Sequence, residues 1–112
     1  MPTQPISGND LARFSGPQTF MRLPQVDSAK GLNVGFIGVP MDIGTSWRSG
    51  TRMGPKQLRE QSAMIRPYNI QTGAAPFDAL ECADLGDVAI NTFSLSDTIR
   101  LITETYDAHL KH

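Results

Sequence analysis

Apolar and polar positions divide the chain into a stretch without periodicity and a stretch that alternates between two periods. Residues 1–30 hold no sustained repeat of 2 or 3.6, because Pro2, Pro5, Gly8, Gly16, Pro17 and Pro24 interrupt it, and this is the pattern of an extended arm. Phe14, Phe20, Met21 and Leu23 would be costly to leave in water as a cluster, so the arm is expected to lie against the body or against a second subunit. Leu32 to Val39 is nearly all apolar or glycine and stops at Pro40, which predicts a strand buried on both faces, as in a parallel sheet. Gly54-Pro55 then introduces a helix over Lys56 to Ile65, with Leu58, Ser62 and Ile65 at helical spacing and an end imposed before Pro67.

Pro67 to Pro76 reads as a loop through Asn69, Gly73 and Pro76. A short strand is predicted over Ala79 to Ala83, closed by a turn at Asp84-Leu85-Gly86-Asp87. Ser94 stands three residues before Asp97, a capping arrangement, and Leu95, Ile99, Ile102, Tyr106 and Leu110 form one apolar stripe expected to pack on the sheet. That last helix runs into Lys111-His112 with no Gly, Asn or Pro to stop it. Two strands and two helices do not cover both faces of a sheet, so residues 31–112 are expected to be the first, incomplete part of a larger α/β domain.

Composition changes this picture little. The 112 residues include ten Lys plus Arg against eleven Asp plus Glu, a net charge of −1, which leaves no basic face for nucleic acid and no polybasic run for anionic lipid. The longest apolar run, Gly31 to Met41, is broken by Asn33 and is about half of the roughly 20 residues a membrane helix needs. No secretory leader pattern precedes it, and a single cysteine, Cys82, fits a reducing compartment, so a cytoplasmic protein is expected. Cys82 reads as a buried strand residue rather than a nucleophile, since His109 and His112, the only histidines, lie at the far end of the chain.

Candidate chemistry concentrates in Gly44-Thr45-Ser46-Trp47-Arg48-Ser49-Gly50-Thr51-Arg52-Met53-Gly54-Pro55, which leaves the carboxyl end of the first strand. In open α/β sheets ligands bind beyond such ends, so Trp47 and Arg48 are the candidate substrate-rim residues. A phosphate cradle does not fit: five residues, not four, separate Gly44 from Gly50, and Thr51-Arg52 replaces Lys followed by Ser or Thr. Gly35 and Gly38 are three apart and miss the dinucleotide fingerprint. Asp42, Asp84 and Asp87 read as separate turn or capping residues and the two histidines as solvated, so no metal ligand and no catalytic residue is assigned.

Six blocks in order carry a resemblance: Phe20-Met21-Arg22-Leu23-Pro24; Phe36 through Ser46; Arg48 through Pro55; Met64-Ile65-Arg66; Thr72 through Phe77; and Ala83 through Val88. In these the sequence resembles the amino-terminal third of the ureohydrolase (arginase/agmatinase) family, in its agmatinase and guanidinobutyrase branch, over nearly the whole chain after the first dozen residues. The resemblance implies a three-layer α/β/α domain around a parallel sheet, two manganese ions, and attack of a metal-bridging hydroxide on a guanidinium carbon to release urea and an amine. Metal coordination is needed there because free water is too weak an acid to supply hydroxide at neutral pH. The family's ligands lie in Gly-Gly-Asp-His, Asp-Ala-His-x-Asp and Asp-x-Asp blocks, none of which is in this sequence; the first is expected roughly a dozen residues beyond His112.

The function so implied is that of a fragment of a manganese amidinohydrolase, inactive by itself, acting when whole on agmatine or a related guanidino compound such as 4-guanidinobutyrate. Arg48 would suit a carboxylate at the far end of the substrate. The resemblance also implies a homo-oligomer, hexamer or trimer, with the arm in subunit contacts. A non-catalytic short relative that binds full-length subunits is the alternative from another class.

Overall fold

The structure, a computed structural model, describes residues 2–112. Two strands, β1 (Val34–Gly38) and β2 (Cys82–Asp87), pair in parallel with Val34 opposite Cys82, Phe36 opposite Asp84 and Gly38 opposite Asp87. The register slips between Phe36 and Gly38. On the far side of β2 the arm adds a parallel bridge at Gln25, where the amide of Val26 donates to the carbonyl of Asp84 (3.0 Å) and the amide of Asp84 donates to that of Pro24 (2.9 Å). The arm thus extends the sheet by one short segment, and β2 is its middle member.

Helix α1 spans Gly54–Ser62 with Pro55 in its first turn, where a missing amide costs nothing. It stops three residues earlier than its apolar spacing predicted, and the face it turns inward carries Arg59 and Ser62, whereas Leu58 and Ile65 are exposed. A single helical turn, α2 (Pro76–Ala79), occupies the start of the predicted second strand. That strand lies instead over Cys82–Asp87, so Asp84 to Asp87 form a strand rather than the predicted turn. The correction is tertiary: Cys82, Ala83 and Asp84 take the ladder partners that β1 offers, while Pro76 starts a helix and draws Ala79 into it.

Helix α3 spans Leu95–Leu110, and its first turn is capped as predicted, with the amide of Asp97 donating to Ser94 Oγ at 3.1 Å. Its rotation differs from the prediction. Thr98 is fully buried, its hydroxyl donating to the carbonyl of Asn91 (2.7 Å) and accepting from the Asn91 amide (3.1 Å). This clasp turns Thr98, Leu101 and Ile102 toward the body and leaves Leu95, Ile99 and Leu110 of the apolar stripe exposed.

The buried apolar residues are Leu23, Phe77, Cys82, Ala83 and Val88, of which Leu23, Phe77 and Cys82 form one cluster with Met21, Val34 and Phe36 packed against it. Phe20 stacks on Phe36 with ring centroids 5.1 Å apart, so residues 19–26 of the arm lie against the body as expected, while Phe14 projects into solvent. On the face of the strand pair away from Phe36, Gly35, Ile37 and Leu85 line a cavity of about 290 Å³ shared with Tyr106, His109 and other residues at the end of α3. The expectation that β1 is buried on both faces is therefore not met within this chain: Gly35 is exposed and Ile37 half-buried.

Candidate functional site

Because β1 and β2 are parallel, their carboxyl ends lie together, and the loops that leave them share one edge of the sheet. Gly38, opposite Asp87, sits where a Cβ would overlap the Asp87 carboxylate and press on Pro55, so the absence of a side chain lets the loop after β1 start against α1.

One carboxylate closes that loop. Asp42 Oδ2 accepts from the amide of Gly50 (2.8 Å) and more distantly from that of Arg52 (3.4 Å), and Oδ1 accepts from Arg52 Nε (2.8 Å) and Nη2 (2.8 Å). Gly50 meets this demand at φ 138°, a conformation that only glycine adopts readily. The Arg52 guanidinium, with the Gly50 amide, holds the Asp42 carboxyl down at about 2, and the same bond raises Arg52. Asp42 does act as a capping residue, but it is not alone: it ties a ten-residue loop to its own exit.

At the outer reach of the loop Trp47 is 82% exposed, and the Arg48 guanidinium lies 5.6 Å from its ring centroid, a cation–π pair. These two candidate rim residues stand beside each other at the carboxyl edge of the sheet, and neither belongs to the Asp42–Arg52 clasp.

A second ion cluster sits beneath that edge. Arg59 presents a fork to Asp84, with Nε to Oδ2 at 2.7 Å and Nη2 to Oδ1 at 3.0 Å, and its Nη1 reaches Asp87 at 2.5 Å. Asp84 also accepts from the amides of Phe20 (2.8 Å) and Gly86 (2.8 Å). Burial pushes the Asp84 carboxyl up, but the Arg59 fork and the two amides outweigh it and leave Asp84 below the usual range. The reading of Asp84 and Asp87 as isolated loop carboxylates is thus corrected: both are β2 residues bound to α1, and Asp84 in addition pins the arm.

Among the described residues, no three His, Cys, Asp or Glu side chains converge to hold a metal ion. The donor chemistry gives the reason, since the oxygens of Asp42 and Asp84 are already taken by guanidinium and amide donors. This segment therefore does not fit the manganese pair that its resemblance implies. Cys82 is a buried β2 residue, as its sequence context suggested; burial and then the neighbouring Glu81 charge raise its thiol, the opposite of an activated nucleophile. His109 and His112 flank the cavity beside α3, and no third ligand joins them among the described residues.

Sequence reasoning missed the Arg59–Asp84–Asp87 cluster because its members lie 25 and 28 residues apart. One signal was present: Asp84 follows Cys82-Ala83 in a strand-like run, and a carboxylate in such a place needs a cationic partner.

Residues 32–112 match the arginase family. A guanidinobutyrase from Pseudomonas aeruginosa is 57% identical over 112 residues, covering 97% of this chain and 35% of that protein. A mitochondrial agmatinase from Gallus gallus is 51% identical over 102 residues, covering 91% of this chain and 30% of that protein. Among solved structures, proclavaminate amidinohydrolase from Streptomyces clavuligerus superposes with a TM-score of 0.83 at 36% identity, over 88% of this chain and 34% of that one. The chain spans about a third of the length of the curated relatives it matches.

Proposed function

This chain belongs to the arginase family, as an α/β segment with a parallel sheet, and on that premise we propose that it is part of a manganese-dependent amidinohydrolase that cleaves a linear guanidino compound to urea and an amine. The observation that supports this most is the 57% identity to a guanidinobutyrase over 97% of this chain. Agmatine and 4-guanidinobutyrate are the candidate substrates. The share of the work assigned to this segment is scaffold and rim: the Asp42–Arg52 clasp fixes the loop, and Trp47 with Arg48 faces an incoming guanidino compound. Metal binding and water activation belong to residues outside the segment, which leaves the segment inactive on its own.

A homo-oligomer is proposed on the family resemblance, which puts the amino-terminal arm, where Phe14 is exposed, in subunit contacts. No described helix is long and apolar enough to cross a membrane; a cytoplasmic location is proposed on the lone reduced cysteine.

Urea release decides the activity. The whole protein, supplied with manganese, is expected to release urea from agmatine or 4-guanidinobutyrate and to lose that activity in a chelator, while the 112-residue chain releases none. No urea from any guanidino compound would end the assignment, and urea from the short chain would end the division of labour. In the whole protein, Trp47→Ala and Arg48→Ala are expected to raise KM about tenfold, roughly 1.4 kcal/mol, with kcat little changed. An unmoved KM would assign the loop to structure alone.

A further inference from the structure

Arg22 is 3% exposed, and its Nε, Nη1 and Nη2 are all buried without a hydrogen-bond partner among the described residues. Every other buried arginine or aspartate here is paired: Arg59 has two carboxylates, and Asp42 and Asp84 each have an arginine. A guanidinium has five donors and keeps its charge in a protein interior, so a buried one without acceptors is strongly disfavoured unless something supplies them.

The backbone commits Arg22 to this place. Met21 and Arg22 both adopt left-handed φ, 51° and 59°, a conformation that non-glycine residues take only when their surroundings impose it. Four bonds do so: the amide of Phe20 to Asp84 (2.8 Å), the amide of Met21 to Ser62 Oγ (2.8 Å), the amide of Arg22 to the carbonyl of Thr19 (3.2 Å), and the amide of Ile6 to the carbonyl of Arg22 (3.2 Å). Arg22 is among the residues that line two cavities, one of about 400 Å³ with Thr3, Pro17 and Thr19, the other of about 210 Å³ with Ser7 and Arg13. Neither cavity is lined by a single Asp or Glu, and the second presents another arginine.

We propose that Arg22 is the receptor of a carboxylate-binding site under the arm, whose ligand is a carboxylate that this segment does not itself supply. The planar fork matches a carboxylate in two parallel bonds, as Arg59 shows with Asp84 on the same face of the fold. The carboxylate comes either from an acidic side chain elsewhere in the assembled protein or from a small free acid; in both cases the 2–17 portion of the arm closes over it. The site is independent of the hydrolytic assignment and does not require it.

The sign of one substitution tests this in the whole protein. If a side chain of the assembled protein supplies the carboxylate, Arg22→Met strands that group, and the melting temperature is expected to fall by about 5 °C or more; if a free acid supplies it, the variant loses only the stabilisation that the acid gives when present. If the guanidinium has no ligand, the same substitution removes an uncompensated buried charge, the melting temperature stays or rises, and acetate does not raise that of the wild type; that combination overturns the proposal. Sodium acetate against sodium chloride at equal ionic strength separates the two sources. A free acid predicts that acetate raises the wild-type melting temperature and not that of Arg22→Met; a side chain predicts the same drop in both salts. Should the variant not fold, a crystal structure of the wild-type whole protein gives the answer. A carboxylate oxygen about 2.7–2.9 Å from Arg22 nitrogens is expected, and its absence overturns the site.

Discussion

The two faces of the strand pair are finished to different degrees. On the arm side, Leu23, Phe77 and Cys82 are closed off from water, Phe20 stacks on Phe36, and the buried Arg59 and Asp84 satisfy each other. On the α3 side, Gly35, Ile37 and Leu85 look into a cavity, and Leu95, Ile99 and Leu110 point outward. The difference teaches that stability in this chain comes from contacts 40 to 65 residues apart between arm, α1 and β2, such as Met21 to Ser62 and Phe20 to Asp84. The best-formed helix of the chain contributes little to it, because a helix held mainly by its own hydrogen bonds and caps adds scant tertiary energy.

The comparison breaks most sharply at Asp84. Asp84→Ala leaves Arg59 buried with only Asp87, and is expected to destabilise the fold by about 3–5 kcal/mol, read as a lowered denaturant midpoint. A loss below about 1 kcal/mol would show that the arm-side face is not the stabilising one.

Acid should act on the same side. Asp84 and Asp42 have folded-state carboxyls below their unfolded values, the latter at about 2, so their contribution is complete above the unfolded value near 4. It is lost as pH falls through the folded values, because the unfolded state then binds more protons. Denaturant midpoints are expected to drop between about pH 4 and pH 2, and Asp42→Asn to shallow that slope. A slope unchanged in the variant would remove the Arg52 clasp from the account.

The smallest effect is expected on the open face: Ile99→Ser and Leu110→Ser should each change stability by no more than about 0.5 kcal/mol in this chain, as at ordinary surface positions. A cost of about 2 kcal/mol at either would mean that this face is covered, and would erase the contrast.

The sequence made β1, the Ser94-capped α3, the Pro55 start of α1 and the burial of Cys82 legible, because each depends on neighbours within a turn or a strand. It also carried the family resemblance, since six short blocks in order survive without any knowledge of their packing. Trp47 and Arg48 were legible as a loop at a strand end and no further. The position of β2, the inward face of α1, the rotation of α3, the coupling of Asp84 to Arg59 and the unpaired state of Arg22 were decided by the tertiary structure alone. The physical reason is common to all five: periodicity and capping act over about four residues, whereas ladder partners, ion pairs and the covering of a face join residues dozens of positions apart, and only the folded chain brings those within reach.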